Sequence, residues 1–204
     1  VEHDDAGGLQ AAVIAKLRRI ISRETGLAES IEEVGIAVSP VKPHADLARE
    51  NPLVKIPALS TPQDGTLYDS DVICEYLDSL RGSKFFPKSG PERWRALRLQ
   101  ALGDGILEAS VLMRYENAVR PQELRWSDWI AGQFGKVRGG LDALERECAG
   151  WGERFAIGEV TAACVLGYLD FRFPDEKWRA TRPGLEKWFE KISQRPSVKA
   201  TVPQ

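Results

Sequence analysis

Apolar positions follow two different regimes along this chain. From residue 92 onward they recur at the three-to-four spacing of helices. Glu92 to Asn117 reads as one long amphipathic helix. Pro121 predicts the start of the next, which runs through Trp126, Trp129, Ile130, Phe134, Val137, Leu141 and Leu144. Val160 to Phe171 is apolar nearly all round, which predicts a buried central helix. Pro183 opens a last helix carrying Leu185, Trp188, Phe189 and Ile192. This half offers no strand candidate.

The first half mixes periods. Gly7 to Gly26 reads as a helix with Val13, Leu17, Ile20 and Ile21 on one face and Gly26 as its stop. Ile31 to Val38 is β-branched and alternates loosely, so it is a strand candidate, and His44 to Glu50 is a short helix candidate. Asn51 to Leu80 is the densest stretch. A polar turn leads into Lys55-Ile56-Pro57, then a short apolar run, a Pro-Gln-Asp-Gly turn and Tyr68-Asp69-Ser70. A helix follows, with Val72, Ile73, Tyr76, Leu77 and Leu80 at helical spacing. A proline cannot donate to a ladder, so Pro57 belongs at the first residue of a strand. Asp69-Ser70 at a helix start presents a carboxylate, a hydroxyl and free backbone N–H groups at one point. Such a point suits a small zwitterion. The expected organisation is an α/β domain over residues 1–81, a linker over 82–91 with Phe85-Phe86 plugged onto a core, and an all-helical domain over 92–204.

Composition narrows the function classes. The chain has 204 residues, enough for a substantial core, and a formal charge of −2, which argues against a nucleic-acid partner. No apolar run approaches a membrane span, and no signal peptide is read at the start. Cys74, Cys148 and Cys164 form no metal or redox spacing and are expected to pack as small apolar residues in a reducing cytoplasm. Two histidines exclude a multi-histidine metal site. A thiol-disulfide exchanger would need a cysteine near Pro57 in sequence, and none is there.

The run NPLVKIPALSTPQDGTLYDSDVICEYLDSL resembles the glutathione-binding half of the glutathione transferase family. LGDGILEASVLMRYE, ERFAIGEVTAACVLGYLDFRF and RPGLEKWFEKISQRPSVKATVP resemble the helical half, so the likeness spans roughly Ile14 to Pro203. The resemblance implies a thioredoxin-like domain, its first strand missing or altered, followed by an all-α domain. It implies a cytoplasmic homodimer engaged in detoxification, with glutathione as substrate, a small electrophile as second substrate and no metal. Pro57 would be cis, and the Ile56 backbone would pair with the cysteinyl main chain of glutathione. Asp69 would take the α-ammonium, and Ser70 with its helix start the α-carboxylate. Lys55, with His44 and Lys42 as weaker candidates, would meet the glycyl carboxylate. Asp104 would reach the glutathione ammonium across a dimer interface. Met113, Arg114 and Tyr115 would line the electrophile pocket. Trp126 and Trp129 read as packing residues.

Two positions depart from the family pattern. A Tyr, Ser or Cys normally precedes the first helix and activates the thiol, but here none occurs before Ser22, and no Thr does either. Upstream residues, backbone N–H groups around Gly7 to Leu9, or His3 would have to act instead. Otherwise the protein would bind without catalysing. At Ala156-Ile157-Gly158-Glu159, alanine replaces the usual Ser or Thr of a capping box. Losing that cap costs about 1 kcal/mol, and Glu159 is expected to keep the reciprocal half. The glycines flanking Asp104 each cost about 1 kcal/mol in a helix interior, which suggests close approach of another group.

Overall fold

The computed structural model describes residues 16–202, which fall into two compact units divided between Lys84 and Phe85. The first unit opens, among the described residues, with the end of helix α1 (residues 16–24), which buries Leu17, Ile20 and Ile21. Gly26 stops it at φ +70°, the left-handed position that glycine takes without penalty. The Leu27 N–H then reaches the Ser22 carbonyl at 2.8 Å and the Gly26 N–H the Arg23 carbonyl at 3.2 Å. That pair of bonds closes the last turn.

Residues 31–38 do not form the expected strand; among the described residues they join no ladder. Val34 stands 74% exposed and only Val38 is buried, so the alternation that suggested a strand has no apolar face to bury. Side chains hold the segment to α1 instead: Glu33 accepts from Arg19 Nε at 2.8 Å and from Arg18 at 3.2 Å. The Arg19 hydrogen bond is the largest cause of a lowered Glu33 pKa.

Helix α2 (Ala45–Glu50) is followed by strands β1 (Leu59–Thr61) and β2 (Gly65–Leu67) and by helix α3 (Ser70–Ser79). The strands pair antiparallel with Leu59 opposite Leu67 and Thr61 opposite Gly65. α3 buries a narrower stripe than its apolar spacing suggested. Ile73, Cys74 and Leu77 are enclosed, while Val72 and Leu80 stand about half exposed.

The second unit is helical: α4 (Gly90–Ala118), α5 (Ser127–Cys148), α6 (Ile157–Arg172), α7 (Pro183–Ser193) and a short α8 (Pro196–Lys199). Pro121 does not open α5. It precedes a 3-10 turn at Gln122–Leu124, and α5 starts at Ser127. Trp126 and Trp129 do not pack in the core; they stack on each other at 6.5 Å and remain 60% and 40% exposed. Glycines set the spacing of the three long helices. A Cβ on Gly158 of α6 would lie 2.7 Å from Leu99 Cβ of α4. One on Gly103 of α4 would lie 2.5 Å from Thr161 Cγ2 of α6, and one on Gly140 of α5 2.5 Å from Ile106 Cγ1 of α4. The group closely approaching Gly103 is therefore α6, whereas Gly105 has open space where a Cβ would go.

Phe85 and Phe86 are buried in this helical unit, where the Phe85 carbonyl accepts the Ile157 N–H at 3.0 Å. Glu145 of α5 caps α7, accepting the Gly184 and Leu185 N–H groups at 3.0 and 2.7 Å. All three cysteines are buried and none of them forms a disulfide. Among the described residues, no helix is long and apolar enough to cross a membrane, and no cluster of three or more His, Cys, Asp or Glu side chains could hold a metal ion.

Candidate functional site

The hairpin register determines which residues of the first unit meet. With Leu59 opposite Leu67, the residues just before β1 and just after β2 lie at the same end of the hairpin. Ile56-Pro57 and Asp69-Ser70, a dozen positions apart in sequence, are thereby brought to one place. The Ile56–Pro57 bond is cis. Pro57 is buried while Ile56 is half-buried.

Asp69 caps α3: its carboxylate accepts the Asp71 N–H at 3.2 Å, and its carbonyl accepts the Ile73 N–H at 3.0 Å. Its side chain is exposed. Ser70 is half-buried, and its hydroxyl makes no hydrogen bond among the described residues. A carboxylate, a hydroxyl and the N–H end of a ten-residue helix thus share one corner. Such a corner offers an acceptor for an ammonium and donors for a carboxylate.

A residue the sequence reading passed over organises the approach to Pro57. Asn51 is 1% exposed. Its Nδ2 donates to the Lys55 carbonyl at 2.8 Å, and its Oδ1 accepts the Leu53 N–H at 3.0 Å. Its own carbonyl accepts the Val54 N–H at 2.9 Å. Inside this wrap Val54 sits at φ +52°, a left-handed conformation that disfavours a β-branched residue by about 1–2 kcal/mol. The available signal was the Asn-Pro step at 51–52, a turn initiator whose side chain bonds the backbone two residues on.

The remaining candidates are dispersed. Lys55 is exposed on the same loop. His44 is the N-cap of α2, its Nδ1 accepting the Leu47 N–H at 3.3 Å. His3 and Gly7 to Leu9, considered for activating a thiol, lie outside the described residues.

Asp104, Met113, Arg114 and Tyr115 belong to α4 of the helical unit. Asp104 is half-buried. Met113 is fully enclosed at 0% exposure, so of the three adjacent residues only Arg114 and Tyr115 keep accessible surface. Burial raises the Tyr115 phenol above its ordinary pKa. Tyr168 of α6, which the sequence placed only in a buried helix, belongs to the same corner. Burial pushes its phenol up to about 12, while Arg172 and Arg114 pull against that rise.

Comparison with known proteins identifies the family. Family models described as the glutathione S-transferase N-terminal and C-terminal domains match residues 19–80 and 127–191. YibF, an uncharacterized GST-like protein of Escherichia coli K12, is 31% identical over 161 residues, covering 77% of this chain and 79% of the relative. A glutathione transferase family member from Pseudomonas fluorescens Pf-5, solved with bound glutathione, superposes with a TM-score of 0.92 at 45% identity and 96% coverage of both chains. A glutathione S-transferase from Methylobacillus flagellatus KT, also with glutathione bound, gives 0.83 at 30% identity and the same coverage. Two domain models that together span most of the sequence, and relatives alike over nearly its whole length, leave one assignment: the chain belongs to the glutathione S-transferase family.

Proposed function

We propose that this protein binds glutathione in its first unit and joins the thiol sulfur to an electrophilic carbon of a small molecule. The observation that carries the reading is the corner shared by Ile56, Pro57, Asp69 and Ser70, in a chain whose relatives at 45% and 30% identity hold glutathione. Asp69 takes the α-ammonium. The Ser70 hydroxyl and the start of α3 take the α-carboxylate. The Ile56 backbone pairs with the cysteinyl main chain, and Lys55 faces the glycyl carboxylate. Asp104 adds charge for the ammonium from a second copy in a homodimer, and Arg114 and Tyr115 receive the electrophile beside the enclosed Met113. The setting is the cytoplasm and the role detoxification.

In the reaction, the thiolate pair forms the carbon–sulfur bond while the leaving group departs with its own pair. The protein contributes orientation and a lowered thiol pKa.

Calorimetry with glutathione, and turnover of a chromogenic haloaromatic electrophile, test the reading on wild type and Ser70→Ala. Wild type binds and conjugates, and Ser70→Ala weakens binding by about 1–3 kcal/mol through the lost hydroxyl. Binding without turnover would make the protein a non-catalytic glutathione-binding member of the fold. Absence of binding in wild type would overturn the site itself.

A further inference from the structure

The helical unit satisfies its arginines with carboxylates at several points. Arg120, six residues beyond Arg114 on the α4 side, donates to Glu116 at 2.8 Å, and Arg179 forks onto both oxygens of Asp170 at 2.5 and 2.6 Å. Arg114 differs. Its Nε is shut away from solvent and makes no hydrogen bond. A buried donor without an acceptor is unfavourable until something supplies one.

The charges acting on the neighbouring Tyr168, among the described residues, are the guanidiniums of Arg114 and Arg172 together with the Tyr115 phenol. Both phenols titrate above their ordinary value because of burial, so at neutral pH each carries its proton and can donate. Two guanidiniums, which only donate, and two protonated phenols meet where α4 and α6 pass each other, in a chain whose formal charge is −2. The chemistry of that set is complementary to an anion. A guanidinium that offers Nε beside an Nη presents two parallel donors, the spacing of a planar carboxylate.

We propose that this corner selects acidic co-substrates, with Arg114 as the specificity-determining residue that binds the carboxylate of the electrophile and Tyr115 as a second donor. The inference rests on the conjugation reading and names the substrate class for it.

The test compares charge at constant shape. S-carboxymethylglutathione is set against S-carbamoylmethylglutathione, and the two S-ethyl homologues against each other, by calorimetry on the full chain. Glutathione is the reference ligand. Wild type binds the carboxylate of a pair about tenfold tighter than its amide, the value of one charge-assisted hydrogen bond. Arg114→Gln brings the ratio to about one, and Arg114→Lys, which keeps the charge but not the fork, holds part of it. A wild-type ratio of one for both arm lengths, with glutathione itself bound, overturns this inference and leaves the glutathione site standing. A preference that persists undiminished in Arg114→Gln also overturns it. Failure of wild type to bind glutathione overturns the function on which it rests.

Discussion

Two helices of this molecule begin in opposite ways. α3 starts at Asp69, a good cap, with its carboxylate exposed and the adjacent Ser70 hydroxyl uncommitted. α6 starts at Ala156, which has no side-chain acceptor, yet its first turn is sealed. There Glu159, 0% exposed, accepts the Ala156 N–H at 3.1 Å and the Arg95 guanidinium at 2.8 Å. The start proposed to hold a ligand is left open to it. The start that holds the core is closed from within by a carboxylate one turn on. A capping residue alone therefore does not tell a binding site from a structural joint. What tells them apart is where the neighbouring polar groups spend their hydrogen bonds.

The comparison breaks most visibly at Glu159. Glu159→Ala leaves the Ala156 N–H without its acceptor and the partly buried Arg95 without its counter-charge. A loss of about 3 kcal/mol is expected, at the low end for a buried pair because Arg95 retains 23% side-chain exposure. Glu159→Gln keeps an acceptor and should lose about half as much. Urea denaturation followed by tryptophan fluorescence reads both, and equal losses would show that the charge contributes nothing.

Gly158 comes next. Its absent Cβ would meet three Leu99 carbons between 2.7 and 2.9 Å, so Gly158→Ala must push α4 away from α6. Overpacking of this kind costs about 1–3 kcal/mol, against which alanine recovers about 1 kcal/mol of helix propensity. A net loss of up to about 2 kcal/mol in the same denaturation assay follows. Gly105→Ala on α4, where a Cβ finds open space, should stabilise instead, and a loss there as well would mean that glycine matters for a reason other than packing.

These two regions were unequally legible from sequence. The helical unit could be read from periodicity, because a buried helix must be apolar all round and α6 is. Its glycine notches could be seen as anomalies but not assigned partners, since spacing along one helix says nothing about which neighbour fills the gap. α5 begins later than Pro121 suggests because the intervening residues form a separate 3-10 turn. In the first unit the hairpin and α3 were legible from turn chemistry. The stretch 31–38 was misread because β-branched residues report a preference for extended backbone and not the presence of a partner strand. Asn51 was overlooked because its role is to bind main chain at Leu53 and Lys55, a task that leaves no mark beyond an Asn-Pro step. Tyr168 and Arg172 could not be read as neighbours of Arg114 because only the packing of α6 on α4 brings these side chains together.

Restoring the missing cap sharpens the contrast. Ala156→Ser supplies the acceptor that the first turn of α6 lacks and should stabilise the protein by about 1 kcal/mol. The gain depends on Glu159 staying where it is, so the double variant Ala156→Ser, Glu159→Ala should show less than the sum of the two. Strict additivity would mean that the two halves of the box do not communicate.

At the open start the same experiment should do almost nothing to stability. Asp69 is exposed, and its bond to the Asp71 N–H is long at 3.2 Å, so Asp69→Ala should cost about 0.5 kcal/mol, the low end for an N-cap. Its effect on glutathione should be larger, because the carboxylate that loosely caps the free helix is the group assigned to the ligand's ammonium. Thermal unfolding with and without saturating glutathione separates the two. The apo melting temperatures of wild type and Asp69→Ala should nearly coincide, and the upward shift produced by glutathione in wild type should shrink in the variant. If instead the apo temperature falls sharply and the glutathione shift survives, Asp69 is a structural cap like any other. The difference between the two helix starts would then be one of exposure alone.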